Sequence, residues 1–352
     1  MKLTLAISGL VICLLGCATP KKPDTAEDAF QPPESVQAII DEAKAGNPDA
    51  QWQLASLYLD GVGVERSFEQ VFHWAKKAAD QGHSGGMYVV AMHHGYGMEG
   101  EKDLVQARHW LRQAATHGNF NGMFRLACML IEGQGGETNK VEGLKWLRAS
   151  AELGHPEAQA HLGTAYHDGL YGLDKKPTEG FKWFLRSAEQ GDPQGQLLVG
   201  NCYLHGMGVE KDLEQMEAWK IKSAEAGNLQ AQINLSIMLS KGEFLEKNPA
   251  RAVRFMEMAA RQGHLPAQEE LGLHYLNGAG GGKDLVKAYF WFSVAGEHSR
   301  VSEKYIAQIS VDLEPKVILE QMKKADAFRE QLKPKIEIAE DAQLPNDLFN
   351  EK

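Results

Sequence analysis

Cysteine is scarce in this chain of 352 residues, which contains only four. Cys13 and Cys17 lie at the N-terminus, which leaves only Cys128 and Cys202 for the rest of the chain. So few cysteines exclude a small domain stabilised by a disulfide framework. No H-E-x-x-H motif and no Cys/His cluster with metal-ligand spacing occurs, so we predict neither a metal site nor a cofactor.

An excess of positive charge is missing as well. The chain has 37 Lys and Arg residues against 47 Asp and Glu, which gives a net charge of −10. No block of basic residues stands out along the sequence. Nucleic-acid binding depends on such a basic footprint, so we predict no nucleic-acid partner.

A long apolar run occurs only near the N-terminus, where Lys2 precedes the stretch from Leu3 to Leu15. This stretch is shorter than the roughly 20 residues of a transmembrane helix. Its charge pattern and length are typical of a signal peptide, which we place at residues 1–16. Residues 17–33 are polar and contain four prolines, which predicts a flexible tether.

The four residues that end the apolar run, Leu14 to Cys17, resemble a bacterial lipobox. The resemblance implies cleavage before Cys17 and acylation of its thiol and amine, hence membrane attachment through an N-terminal lipid. The residue after Cys17 is Ala18, whereas an Asp at this position would resemble an inner-membrane retention signal. The resemblance therefore implies an outer-membrane lipoprotein facing the periplasm. The alternative is a plain secretory signal in which Cys17 is incidental.

A regular repeat dominates the rest of the sequence. Seven aromatic residues recur at steps of 36 or 37 residues: Trp74, Trp110, Trp146, Trp183, Trp219, Phe255 and Trp291. Seven glycines, which number repeats 1 to 7, keep the same steps: Gly46, Gly82, Gly118, Gly154, Gly191, Gly227 and Gly263. The two series in step predict stacked units, none of which buries its apolar face alone. We expect the aromatic row to form structural core.

Each repeat has the pattern of two helices. The first helix carries a small residue four positions after the repeat glycine and Leu or Val eight positions after it. The second helix begins at a good N-cap residue in six repeats, namely Ser67, Asp103, Asn139, Asp212, Asn248 and Asp284. Lys176 takes this position in the repeat with an inserted residue, and there we expect the cap to shift.

This pattern resembles the Sel1-like repeat, a relative of the tetratricopeptide repeat. In repeat 4 the resemblance rests on Gly154, Ala158, Gln159, Leu162, Gly163, Tyr166, Gly169, Trp183 and Ala188. It covers residues 46–298 and implies an all-α fold, a right-handed α-solenoid of about seven helix-turn-helix repeats. We expect residues 34–45 to form an N-terminal capping helix and residues 299–332 to form C-terminal capping helices. Residues 333–352 are predicted to be an acidic tail.

In such an array, Cys128 and Cys202 lie two repeats apart. Because packed helices lie about 8–10 Å apart, the two cysteines are separated by roughly 20 Å. A disulfide requires Cα atoms within about 7 Å of each other. We therefore predict that both remain unpaired, as small buried residues.

No residue stands out as catalytic. Residues 82–86 match the G-x-S-x-G motif of a nucleophile elbow, which requires a turn from a strand to a helix. Here the glycines belong to the repeat, so the motif is interpreted as a turn between helices. His83, His155 and His264 directly follow repeat glycines and are interpreted as helix caps.

One aromatic group is a candidate for binding a partner. Trp52, Tyr88 and Phe124 share the position six residues after the glycine in repeats 1 to 3. If the first helices line the concave face, these residues form an aromatic strip in a groove, and such strips are used in peptide binding. The alternative is that this position is buried between neighbouring first helices.

Repeat arrays offer extended concave surfaces, so the expected function is binding of a protein or peptide by a lipid-anchored scaffold or adaptor in the cell envelope. Similar lipoproteins act as immunity proteins against secreted toxins, and others support polysaccharide export or host contact. The rival from another class is a β-lactam-binding or β-lactam-hydrolysing enzyme. The arrays linked to that activity carry a cysteine pair in nearly every repeat, which this chain lacks, and no S-x-x-K motif occurs. We therefore predict that the chain is not an enzyme.

Overall fold

The computed structural model describes residues 34–98, 101–296 and 299–341, and side chains as far as residue 332. Within these ranges the chain forms helices and no strand, so the predicted all-α solenoid is confirmed. The helices are α1 (Glu34–Lys44), α2 (Pro48–Asp60), α3 (Phe68–Asp80), α4 (Ser84–Tyr96), α5 (Leu104–Thr116), α6 (Phe120–Glu132), α7 (Lys140–Glu152), α8 (Pro156–Asp168), α9 (Pro177–Glu189), α10 (Pro193–His205), α11 (Leu213–Glu225), α12 (Leu229–Lys241), α13 (Pro249–Arg261), α14 (Leu265–Asn277), α15 (Leu285–Ala295), α16 (Arg300–Ser310) and α17 (Pro315–Asp341). The even-numbered helices α2 to α14 are the first helices of repeats 1 to 7, and the odd-numbered helices α3 to α15 are the second helices.

Side-chain caps define where the second helices begin. The oxygen of each of the six predicted cap residues accepts a hydrogen bond from a backbone N–H in the first turn, as Asp103 does from Gln106 at 2.9 Å. Lys176 holds the same position without a side-chain cap, and Pro177 follows it as the first helical residue. The cap therefore does not shift in this repeat, because proline is already suited to the first helical position.

Left-handed glycines end the first helices. The C-cap glycines, which include Gly61 and Gly169, have φ between 69° and 78° and donate their N–H to a carbonyl one turn back. A residue with a Cβ atom is strained in this conformation, which explains why glycine ends each first helix. Tyr171 and Phe244 are the only described residues other than glycine with positive φ.

Consecutive helices pack against each other along the whole stack, from α1 on α2 to α15 on α16 and α17. Their contact depends on small residues. An added Cβ atom on Gly86 in α4 would lie 2.6 Å from the carbonyl oxygen of Ala75 and 2.8 Å from the amide nitrogen of Ala79. Both atoms belong to the backbone of α3, which cannot move aside independently. The helices thus approach each other more closely here than an alanine allows.

Replacing Gly86 with alanine should therefore lower the free energy of unfolding by about 1–3 kcal/mol, the usual cost of overpacking, although alanine is intrinsically a better helix former. Four other repeats carry alanine at this position, namely Ala50, Ala158, Ala231 and Ala267. The control is Gly281→Ala, because no atom lies within 4 Å of a Cβ added there. Urea unfolding followed by circular dichroism compares the two. Equal midpoints for both variants would contradict the close approach.

The aromatic row packs against the interior to different degrees. Trp74, Trp183, Phe255 and Trp291 are buried, whereas Trp110, Trp146 and Trp219 are half-buried. Cations cover some of the outer ring faces, as Lys222 does over Trp219 at 4.0 Å and Arg186 over Trp183 at 4.5 Å. Rings of this row therefore pack against the core on one face and contact surface cations on the other.

The two ends of the stack carry additional helices. At the N-terminus, α1 packs on α2 and buries Val36 and Ala43. At the C-terminus, α17 packs on α15 and continues through Asp341, so the predicted end of this helix at residue 332 is too early. A proline removes one hydrogen bond of a helix and bends it, and the good helix formers on both sides of Pro334 let the helix continue past it. The signal peptide, the tether and residues 342–352 of the predicted tail lie outside the described residues.

Candidate partner-binding surface

The aromatic residues predicted to form an exposed strip lie between neighbouring first helices. Tyr88 is completely buried and Phe124 is 3% exposed, so the prediction of an exposed strip is wrong for these two residues. The ring of Phe124 lies 4.7 Å from that of His155 on the next repeat. Trp52 is half-buried and stacks on His83 at 5.1 Å. The alternative interpretation therefore holds: this position joins successive first helices.

These contacts assign the two helices of each repeat to different layers. First helices meet through rings and apolar groups, and α8 packs directly on α10. Successive second helices are joined by ion pairs between long side chains, such as Arg251 with Glu217 at 2.8 Å and Arg112 with Glu142. The Arg112 guanidinium holds the pKa of the Glu142 carboxyl below its usual value. The first helices α8 and α10 pack directly on each other, and no pair of successive second helices in the described residues packs as closely. Helices on the inner side of a curved stack approach each other more closely, so we assign the first helices to the inner, concave layer.

The two layers carry opposite charge. The seven first helices have seven acidic side chains (Asp49, Asp60, Glu132, Glu157, Asp168, Glu269 and Glu270) and two basic ones, Arg125 and Lys241. The seven second helices have ten acidic and fifteen basic side chains. The inner layer is therefore net acidic and the outer layer net basic. A net acidic surface favours encounters with basic partners and disfavours acidic ones.

Comparison with known families fits this architecture. The model of the Sel1 repeat matches residues 48–83, 84–119, 121–155, 156–192, 193–228, 229–264 and 265–299. The chain belongs to the Sel1 repeat family. Sel1 repeat proteins bind protein partners, and the family is generally non-enzymatic. Among curated proteins, none matches this chain.

Several solved structures are similar to this chain. A Sel1 repeat protein from Oxalobacter formigenes is 30% identical, matches 64% of this chain and 97% of its own length, and superposes with a TM-score of 0.58. The protein c5321, a protective antigen of uropathogenic Escherichia coli strains with an SLR fold, is 27% identical over 91% of this chain and 75% of its own, with a TM-score of 0.49. The immunity protein Pa5087 from Pseudomonas aeruginosa is 19% identical over 58% of this chain and 77% of its own, with a TM-score of 0.38.

A row of buried glutamines connects the Sel1 repeats. Of these glutamines, the repeat pattern in the sequence pointed only to Gln159. The side-chain amides of Gln51, Gln159, Gln196, Gln232 and Gln268 donate to the carbonyl oxygen eight residues earlier. Each bond crosses the turn from the preceding helix, which is α1 for Gln51 and a second helix for the other four, and satisfies a carbonyl at the end of that helix. The signal was present in the sequence, because all five lie five residues after a repeat glycine. Met87 and Met123 replace the glutamine in repeats 2 and 3.

One Sel1 repeat contains a buried cation. Lys220 on α11 is 1% exposed, and its Nζ donates to the Oδ1 of Asn201 on α10. No carboxylate of the described residues forms an ion pair with it. Burial lowers the pKa of Lys220 to about 8. The other six repeats have apolar residues at this position, namely Ala75, Leu111, Leu147, Phe184, Met256 and Phe292.

The remaining candidate groups have structural roles in the described part of the chain. Ser84 is the first residue of α4, after a turn between helices, and His83 caps that helix. Cys128 and Cys202 are unpaired, as predicted. Cys202 is buried, whereas Cys128 is half-buried, so the predicted burial is wrong for Cys128. Desolvation raises the pKa of the Cys128 thiol to about 11 and that of the Cys202 thiol to about 12, and protonated thiols are poor nucleophiles. His155 and His264 cap helices in the same way as His83.

The described residues contain no group of three or more His, Cys, Asp or Glu side chains placed to hold a metal ion. None of the helices described for this chain has both the length and the apolar composition needed to cross a bilayer. Cys17 lies outside the described residues.

Proposed function

We propose that this Sel1 repeat protein is a scaffold or adaptor of the bacterial cell envelope that binds a protein or peptide partner on its inner layer. The observation that carries the proposal is the separation of charge between the two helix layers, which leaves seven acidic and two basic side chains on the inner one. Clustering charge of one sign on one layer raises the rate of encounter with oppositely charged partners. Binding of protein partners is typical of the family.

The proposal includes a lipid anchor on Cys17 and a place in the outer membrane, with the repeats in the periplasm. Its support is the sequence from Leu14 to Ala18, which follows an apolar run of signal-peptide length. A polar tether then separates the anchor from the first helix. This arrangement holds the repeats near the membrane and leaves their inner layer open to soluble or membrane-bound partners.

The test is chemical crosslinking and capture from membranes of cells that express the full chain, with Cys17→Ser as the soluble control. We expect labelled palmitate to enter the wild-type protein and not the variant, and the wild type alone to sediment with membranes. We also expect one partner to be enriched with both forms, since the inner layer does not depend on the anchor. The identity of that partner distinguishes a scaffold from an immunity protein, because only the latter captures a toxin.

Two results would contradict the proposal separately. Equal sedimentation of wild type and Cys17→Ser with membranes would contradict the proposed lipid anchor. The absence of any partner enriched over a control lipoprotein would remove the scaffold function, whatever the outcome for the anchor.

A further inference from the structure

A cavity of about 480 Å³ opens between α12 and α14, the first helices of repeats 6 and 7. Ile233 and Ile237 on α12 form one wall, and Met256 on α13 lines the cavity from the outer layer. The volume lies in the range of sites that hold ligands. We call this cavity the α12–α14 groove.

The groove exposes apolar surface of α12. In repeats 6 and 7, Ile237 remains 41% exposed and Ile233 half-buried. Covering these side chains with an apolar group would gain about 25 cal/mol for each Å² removed from water.

The length of the groove favours an extended chain. On α12 the residues that line the groove run from Ile233 to Lys241, a stretch of nine helical residues. At 1.5 Å per residue of helix this span is about 12 Å, which corresponds to about four residues of an extended peptide at roughly 3.3 Å each.

Charge gives the groove a direction. Glu270 on α14 is exposed, lines the groove and forms no ion pair within the described residues. Lys241, which is also exposed, is the last residue of α12 and also lines the groove. A basic side chain is therefore favoured beside Glu270 and disfavoured beside Lys241. The surrounding inner layer is net acidic, which adds to the preference for a basic segment.

We propose that the α12–α14 groove binds an extended peptide segment of the partner that combines an apolar side chain with a neighbouring Lys or Arg. The apolar side chain lies against Ile233, Ile237 and Met256, and the cation pairs with Glu270. The inference rests on the proposed function and specifies the location and chemistry of binding.

The test uses the full chain in detergent and two pools of short fluorescein-labelled peptides with a fixed central Leu. The pools are otherwise identical, except that the residues preceding the Leu are Arg in one and Glu in the other. By fluorescence anisotropy we expect the Arg pool to bind and the Glu pool to bind at least about tenfold more weakly. Ile237→Glu should weaken binding of the Arg pool by about tenfold or more, because it places a charge in the apolar wall. Glu270→Gln should weaken it about three- to tenfold.

Matched controls lie on other surfaces of the array. Val141→Glu places the same charge on α7, where Val141 is 65% exposed, and Glu157→Gln removes a carboxylate from α8 in the same layer. Both should leave binding within about twofold of wild type, since surface substitutions away from a site have small effects. Circular dichroism checks that all four variants fold.

The groove assignment would be overturned by equal binding of both pools, by binding of neither, or by unchanged binding of both Ile237→Glu and Glu270→Gln. A chain that lacks residues 342–352 and binds the Arg pool more than about tenfold tighter would also overturn it, because the occupant would then be this chain's own segment. The outcome for the scaffold is separate. If crosslinking captures one partner equally with wild type and with Ile237→Glu, the groove assignment fails and the proposed function stands.

Discussion

Replacing Tyr88 with alanine should lower the free energy of unfolding by about 3–5 kcal/mol, the usual cost of removing a large buried ring from a core. Tyr88 has no exposed surface and packs in the apolar cluster shared by α2 to α6. Because each unit of a repeat array contacts only its neighbours, the loss should be concentrated in the first three repeats. Amide hydrogen exchange should become faster in α2 to α6 and remain unchanged in α12 to α15.

Phe68→Ala is the matched control, because Phe68 lies in the same part of the array but is 51% exposed. We expect this substitution to change the free energy of unfolding by less than about 0.5 kcal/mol. If Tyr88→Ala retained wild-type exchange rates and lost partner capture, the ring would belong to a binding surface, and the inner-layer packing described above would be wrong.

The second large effect is expected from removing the buried cation. The double variant Lys220→Met with Asn201→Ile gives repeat 5 the apolar pair that repeat 6 has in Met256 and Ile237. We expect the free energy of unfolding at pH 7 to rise by about 2–3 kcal/mol. Lys220 has a pKa of about 8 in the folded chain, below its ordinary value of 10.5, so its charged form is disfavoured by burial.

The pH dependence identifies the cause. Between pH 8 and pH 10.5 the unfolded chain holds a proton on Lys220 that the folded chain has released, so stability contributed by this group rises with pH across that window. Below pH 8 the cost of the buried charge is fully present. The double variant should lose this rise, whereas Lys145→Met, which removes an exposed lysine from α7, should retain it. Parallel pH profiles of wild type and double variant, measured by urea unfolding, would show that Lys220 is not destabilising.

Much of the fold followed from local patterns in the sequence. The N-cap residues before α3, α5, α7, α11, α13 and α15 marked the starts of these helices correctly, because a side-chain cap depends on the chemistry of one or two residues. The absence of a bond between Cys128 and Cys202 followed from the repeat length alone. The end of α17 did not, because a proline inside a helix lowers its stability without fixing where it stops.

The surface was harder to predict, because exposure depends on residues far away in the sequence. Trp52, Tyr88 and Phe124 share one position in the repeat and one residue class, yet they range from half-buried to completely buried. Glu270 and Ile237 looked ordinary in the sequence and line the α12–α14 groove in the structure. A period specifies equivalent positions but not the distance between neighbouring helices at each one.

The sequence by itself determined the family, the number of repeats and the order of helices, since each depends on spacing along the chain. Only the tertiary structure decided which aromatic rings are buried, that Lys220 is buried beside Asn201 and that a groove opens between α12 and α14. The physical reason is that burial, desolvation and cavity shape arise from the sum of contacts across neighbouring repeats. Small differences at equivalent positions, such as glycine for alanine or lysine for methionine, change these contacts and leave the repeat pattern intact.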